Sequence, residues 1–152
     1  MIMAIASSVP ASLGAGIAGA VALTLLHETT RYWMKDAPRM DELGERALVK
    51  IIEAGGRRPP GEPALHRLAL LGDIATNSLF YAAVGKGRGA WLRGGALGLL
   101  AGAGAAFLPP YLGLGQPPHG SNPKTHLATI GYYLTGGLAA AAVAEVTRRK
   151  AE

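Results

Sequence analysis

The sequence contains no cysteine, which excludes disulfides, a thiolate nucleophile, cysteine-based zinc sites and covalent haem attachment. Charge is also scarce: Asp, Glu, Lys and Arg make up 16% of the chain, against roughly 25% in ordinary soluble domains. No glycine-rich loop has the spacing of a nucleotide-phosphate cradle, because Gly85-x-Gly87-x-Gly89 is too short and reads as a turn. No serine has the local setting of an activated nucleophile. Against these absences stand 49% hydrophobic residues and a mean hydropathy of +0.23. With 152 residues the chain suits one domain, and its balance of little charge and much apolar surface predicts lipid as its solvent.

About 20 apolar residues are needed for a helix to cross the hydrocarbon layer. Four segments meet that length: residues 9–30, 64–85, 90–108 and 124–147. Pro10 behind Ser7 and Ser8 suits the start of the first, and Pro109-Pro110 stops the third. A cleaved signal peptide is disfavoured because no basic segment and apolar core precede Ala4-Ile5-Ala6. The expected fold is an all-α integral membrane protein, a single four-transmembrane-helix bundle in a bacterial cytoplasmic membrane. Four spans put both termini on one side (side A), with the loop 85–89, and two longer connections on side B. Tyr32, Trp33 and Tyr111 then mark the side B interface, and Tyr81 and Trp91 the side A interface. Arg31, Lys35 and Arg39 after the first span favour a cytoplasmic side B, but Arg148-Arg149-Lys150 on side A leave orientation open.

The first side B connection carries a fifth helix, predicted over 37–54. Met40, Leu43, Ala47, Leu48, Ile51 and Ile52 recur at helical spacing, charged residues fill most other positions, and Gly55-Gly56 ends it. Such a helix lies along the headgroups or packs over the bundle mouth. Gly94, Gly98 and Gly102 recur every fourth residue in the third span, which lets helix backbones approach closely. That contact could lie within the chain, in a homo-oligomer or in a larger membrane complex. Membrane lipid is the expected partner. Nucleic acid is not, because the basic residues behind the pI of about 9.8 are divided between both membrane faces.

Asp73 lies in the otherwise apolar stretch 68–84, apart from a few polar residues. A carboxylate in lipid is costly and calls for a partner or a function. At 100° per residue His66, Asp73 and Asn77 form one stripe, with Asp73 roughly 10 Å deeper than His66. Thr24, His27 and Glu28 approach side B on the first helix, His126 opens the fourth, and Tyr132 and Tyr133 reach about the depth of Asp73. His119 sits in the loop between the last two spans, so all four histidines map to side B. The candidate ligand-binding set is therefore Asp73, Asn77, His66, His27, Glu28, His126, Tyr132 and Tyr133. Ordinary structural roles compete: Asp73 with Asn77, Thr129 or a tyrosine as a register-fixing hydrogen bond, Glu28 as an i, i+3 ion pair with Arg31.

No metal site is expected. His66 and Asp73 are too far apart on one helix to share an ion, and His27-Glu28-Thr29-Thr30-Arg31 lacks the second histidine of a helical metal motif. The sequence names no cofactor and no catalytic residue. It points first to a small membrane protein that binds or moves an ion, a proton or a small amphiphile through a polar cavity centred on Asp73. The alternatives are a membrane-embedded enzyme acting on a lipid or quinone-like substrate, and an accessory subunit of a larger complex.

Overall fold

The computed structural model describes residues 2–117 and 122–150, with side chains described from residue 11. The described residues form five helices and no strand: α1 (Ile2–Trp33), α2 (Met40–Ala54), α3 (Glu62–Ala82), α4 (Ala90–Phe107) and α5 (Pro123–Arg149). Two of them, over Ala11–Trp33 and Pro123–Arg149, are long and apolar enough to cross a membrane. His119 lies outside the described residues.

Local chemistry sets most boundaries, but α1 begins at Ile2 rather than at 9, so Pro10 lies inside the helix and not at its start. Asn122 caps α5 by accepting a hydrogen bond from the Lys124 amide at 3.0 Å, and Pro123 occupies the first turn, where its missing N–H costs nothing. Pro63 does the same for α3, so that helix begins two residues before the predicted 64. The amphipathic helix starts at Met40 rather than 37. Its approach is held outside the helix, because the Ala37 amide bonds to the Met34 carbonyl and the Asp36 carbonyl accepts from the Thr125 hydroxyl at 3.0 Å. Asp41 and Glu42 then lie in its first turn, where the helix dipole favours negative charge.

The helices pack in the spatial order α4, α5, α1, α3, each antiparallel to its neighbour, and α2 lies against α3. α4 and α5 meet along a seam of glycine and alanine. A Cβ on Gly98 would lie 2.6 Å from Leu134 Cα, one on Gly102 2.6 Å from Ile130 Cα, and Gly94 and Gly137 abut backbone to backbone. The four-residue glycine spacing is thus used within the chain. On α1, Gly16 sits against the α3 backbone at Ser78 and Ala82, and Gly19 faces Gly136 of α5.

Side-chain size is distributed inside-out. Ala15, Ala20, Ala140 and Ala141 are fully buried, whereas Ile17 is 52% and Leu25 58% exposed on the outward stripe of α1. Leu68, Leu71, Leu79, Leu92 and Leu127 also face outward. Tyr32, Trp33, Trp91 and Tyr111 are exposed near helix ends, but Tyr81, expected at an interface, is fully buried. Its hydroxyl donates to the Tyr133 carbonyl at 2.7 Å, and its ring lies over Gly136, where a larger residue would collide with it.

α3 and α4 are consecutive in sequence but do not pack along their lengths. A wedge therefore stays open between them. α2 closes its top, held by Lys50 Nζ on the Leu112 carbonyl at 2.6 Å, Arg46 on the Gln116 carbonyl at 2.8 Å, and a 2.7 Å contact between Glu45 and His66.

Candidate functional site

Under α2, helices α1 and α3 enclose a small cavity of about 30 Å³ lined by Thr24, His27 and Glu28 from α1, Met40, Asp41 and Gly44 from α2, and His66, Ala69, Leu70 and Asp73 from α3. That volume admits a group the size of one or two water molecules. α1 contributes Thr24, His27 and Glu28 because residues three and four apart share a helix face. α3 contributes His66 and Asp73, two turns apart on the stripe expected from spacing alone.

Its polar groups fall into two classes. Most are satisfied: Glu28 pairs with Arg31 at 2.8 Å, Asp41 accepts from Arg39 at 2.9 Å and lies 3.5 Å from Arg31, and Glu45 contacts His66. Burial works against ionisation of Asp41, yet the Arg39 hydrogen bond, the Glu42 backbone amide and the charges of Arg39 and Arg31 outweigh it and hold the carboxyl below its ordinary range. Two atoms are not satisfied. Thr24 Oγ1 and His27 Nε2 are buried without a hydrogen-bond partner, although a buried polar group left unpaired costs on the order of 1–3 kcal/mol. His27 is only 9% exposed, wedged edge-on against the rings of Tyr132 at 5.4 Å and Tyr133 at 5.8 Å.

Asp73 is intermediate. Its Oδ1 accepts from Asn77 Nδ2 at 2.8 Å, so an amide rather than a tyrosine hydroxyl is its hydrogen-bond partner. Thr129 bonds instead to the Thr125 carbonyl in its own helix at 2.9 Å. Among the described residues no Lys or Arg side chain pairs with Asp73, whereas Glu28 has one such partner and Asp41 and Glu145 have two each.

Asp73 also lines a second and much larger space. The wedge between α3 and α4 is a groove of about 620 Å³, walled by Thr76 and Phe80 of α3, Leu97, Leu100 and Ala101 of α4, and Tyr133 of α5, beneath Met40 and Leu43 of α2. Its walls are mostly apolar. Met40, Gly44 and Asp73 are common to both spaces, so Asp73 stands where a small polar cavity meets a wide apolar groove.

Seven of the eight residues selected from the sequence gather around this junction. His27, Glu28, His66 and Asp73 line the cavity, Asn77 bonds Asp73, Tyr133 lines the groove, and Tyr132 packs on His27 while donating its hydroxyl to Met34 S at 3.3 Å. His126 stands apart, its ring 4.7 Å from Phe107 across the α4–α5 contact. Sequence reasoning did not select Asp41 or Gly44 of the α2 roof, because no periodicity reveals which way a connecting helix folds back. Thr24 and Tyr81 had a readable signal, the first one turn before His27 and the second four residues beyond Asn77. Among the described residues no three His, Asp or Glu side chains converge closely enough to hold a metal ion. Comparison with protein-family models, curated proteins and solved structures finds no match to this chain.

Proposed function

We propose that α1, α3, α4 and α5 cross a membrane as a four-helix bundle, with both termini on one side, and that the bundle binds a small amphiphile with its polar end at Asp73. The inside-out distribution of side chains supports the membrane part. Apart from Leu23, Tyr81, Val84 and Tyr133, the helix interior is mostly glycine, alanine and small polar residues while many leucines face outward, as expected where helices associate by close backbone packing rather than by expulsion of water.

The observation that carries the binding part is the position of Asp73 at the shared boundary of a polar cavity and an apolar groove. An ion or proton alone would use the cavity and leave the groove without a purpose, whereas an amphiphile matches both. Ligand sites combine a mostly apolar wall with a few convergent polar groups, and this junction has that composition. The glycine ridge of α4 is buried on α5, so an accessory-subunit role would have to use another face.

The test is mass spectrometry of small molecules retained by the full chain purified in mild detergent, comparing wild type with Asp73→Asn. A co-purifying amphiphile that disappears in a folded Asp73→Asn protein is the expected result. Equal retention by both proteins, or none by either, removes the reading. The unpartnered Nε2 of His27 favours one second reading, a membrane enzyme using His27 as an acid–base group on a lipid or quinone-like substrate. That version requires the retained molecule to be chemically altered by wild type and unaltered by His27→Gln.

A further inference from the structure

Three carboxylates and two histidines line the small cavity, and no Lys or Arg does so among the described residues. A phosphate or carboxylate head would meet those three carboxylates and no lining Lys or Arg. Glu28 and Asp41 are already balanced by Arg31 and Arg39, whereas Asp73 has an uncharged amide as its partner. The uncompensated position therefore calls for a cation supplied from outside the chain.

The acceptors present define that cation further. Thr24 and His27, one turn apart on α1, line the cavity with Asp73, and each has a buried polar atom without a partner, Thr24 Oγ1 and His27 Nε2. A carboxylate, a hydroxyl oxygen and an imidazole nitrogen can each accept a hydrogen bond. A primary ammonium group offers three donors. A cavity of about 30 Å³ suits –NH₃⁺, which is close to water in size, better than a bulkier trimethylated ammonium. Resting on the amphiphile reading above, we propose that the ligand is an amphiphile with a primary ammonium head. The head sits among Asp73, Thr24 and His27, and its chain lies in the groove between α3 and α4 against Phe80, Leu100 and Tyr133.

The probe is dodecylamine, added to the purified full chain in a neutral maltoside detergent, with adducts counted by native mass spectrometry. Dodecanol, dodecyltrimethylammonium and methylamine are compared at matched concentrations. Charge-assisted hydrogen bonds should make dodecylamine bind roughly 10-fold or more tightly than dodecanol. Asp73→Asn should bring it down to the dodecanol level, and Thr24→Val should weaken it by several-fold. Dodecyltrimethylammonium should bind no better than dodecanol, and methylamine should not saturate the site. If dodecanol matches dodecylamine and both depend on Asp73, the ammonium assignment is wrong while the amphiphile reading stands. If trimethylammonium binds as well as the primary amine, the size argument is wrong; if methylamine does, the groove plays no part. If no dodecyl compound binds saturably to wild type, both readings fall. Should Asp73→Asn not fold, the wild-type ranking and Thr24→Val decide between the same outcomes.

Discussion

The α4–α5 seam and the α1–α2–α3 cavity occupy opposite halves of the molecule and follow opposite rules. In the seam, Gly94, Gly98, Gly102 and Gly137 bring backbones into contact and leave no space. In the cavity, space remains, and two of its lining residues, Thr24 and His27, each bury a polar atom without a partner. Close packing maximises stability, while unpaired buried polar atoms reduce it. Half of the bundle is therefore built to hold together, and the other half carries a local defect that a ligand can satisfy. The joint between them is α5, which packs on α4 through its glycines and presents Tyr132 and Tyr133 to His27.

The contrast can be broken most severely in the seam. Gly98→Leu would force side-chain atoms where Leu134 Cα and the Tyr133 carbonyl already lie, 2.6 and 2.7 Å from the position of the new Cβ. Overpacking of this kind costs about 3 kcal/mol or more when the obstacle is backbone. The expected result is a large fall in thermal midpoint and loss of a monodisperse particle on size exclusion. Gly95 is the internal control, with nothing within 4 Å of its Cβ position, so Gly95→Ala should be neutral or stabilising by up to about 1 kcal/mol. Equal melting of the two variants would show that α4 does not approach α5 this closely. A smaller loss is expected for Tyr81→Phe, which removes the donor to the Tyr133 carbonyl and should cost about 1 kcal/mol in the same melt. No change would mean that burial of the ring alone holds Tyr81.

Which half was legible in the sequence follows from the range of the interactions. The helices were readable because each depends on local composition, an apolar run and, for the third span, the stop at Pro109-Pro110; their starts were less so, since Pro10 lies inside α1 and Pro63 and Pro123 lie in the first turns of α3 and α5. The pairing of Asp73 with Asn77 was readable because it lies within one turn of one helix. The glycine spacing revealed that α4 had a close neighbour, but not that the neighbour was α5. His27 and His66 share a cavity only because α1 and α3 pack with a particular rotation, and that rotation is set by Gly16 against Ser78 and Ala82. His126 shows the same dependence in reverse: it sits at the expected level, but the buried face of α5 runs through Thr125, Thr129 and Tyr133, and His126 turns toward Phe107 instead.

The roof of the cavity separates the halves by pH. Asp41 has its carboxyl held below the ordinary range because its Arg39 and Arg31 partners outweigh its burial. A carboxylate with a lowered folded value contributes stability that is fully present above the ordinary aspartate pKa, about 3.9, and is lost as pH falls through the folded value. Docking of α2 should therefore weaken below about pH 4, while the glycine stretch of the seam, 94–102 on 130–137, which contains no Asp, Glu or His, should not respond. Hydrogen exchange corrected for intrinsic rates should show amides of α2 losing protection between pH 6 and pH 3 with those of α4 unchanged. Asp41→Asn should show the weakened roof already at pH 6. Protection of α2 that is independent of pH would show that this ion pair does not hold the roof down.

The smallest effect on stability, and the sharpest test of the contrast, is expected at Thr24. Its hydroxyl is buried without a partner, so Thr24→Val replaces an unsatisfied polar atom by a methyl group of similar size. Where a structure gains nothing from a buried hydroxyl, its removal should leave the thermal midpoint unchanged or raise it, by up to about 1 kcal/mol in stability. A comparable change in the seam, one heavy atom added at Gly98, should destabilise. If Thr24→Val instead lowers stability as a lost hydrogen bond would, the hydroxyl has a partner in the folded protein and the cavity is as fully satisfied as the seam. If stability holds while dodecylamine binding weakens, the atom contributes to binding without contributing to the fold, which is the property that distinguishes this half of the bundle.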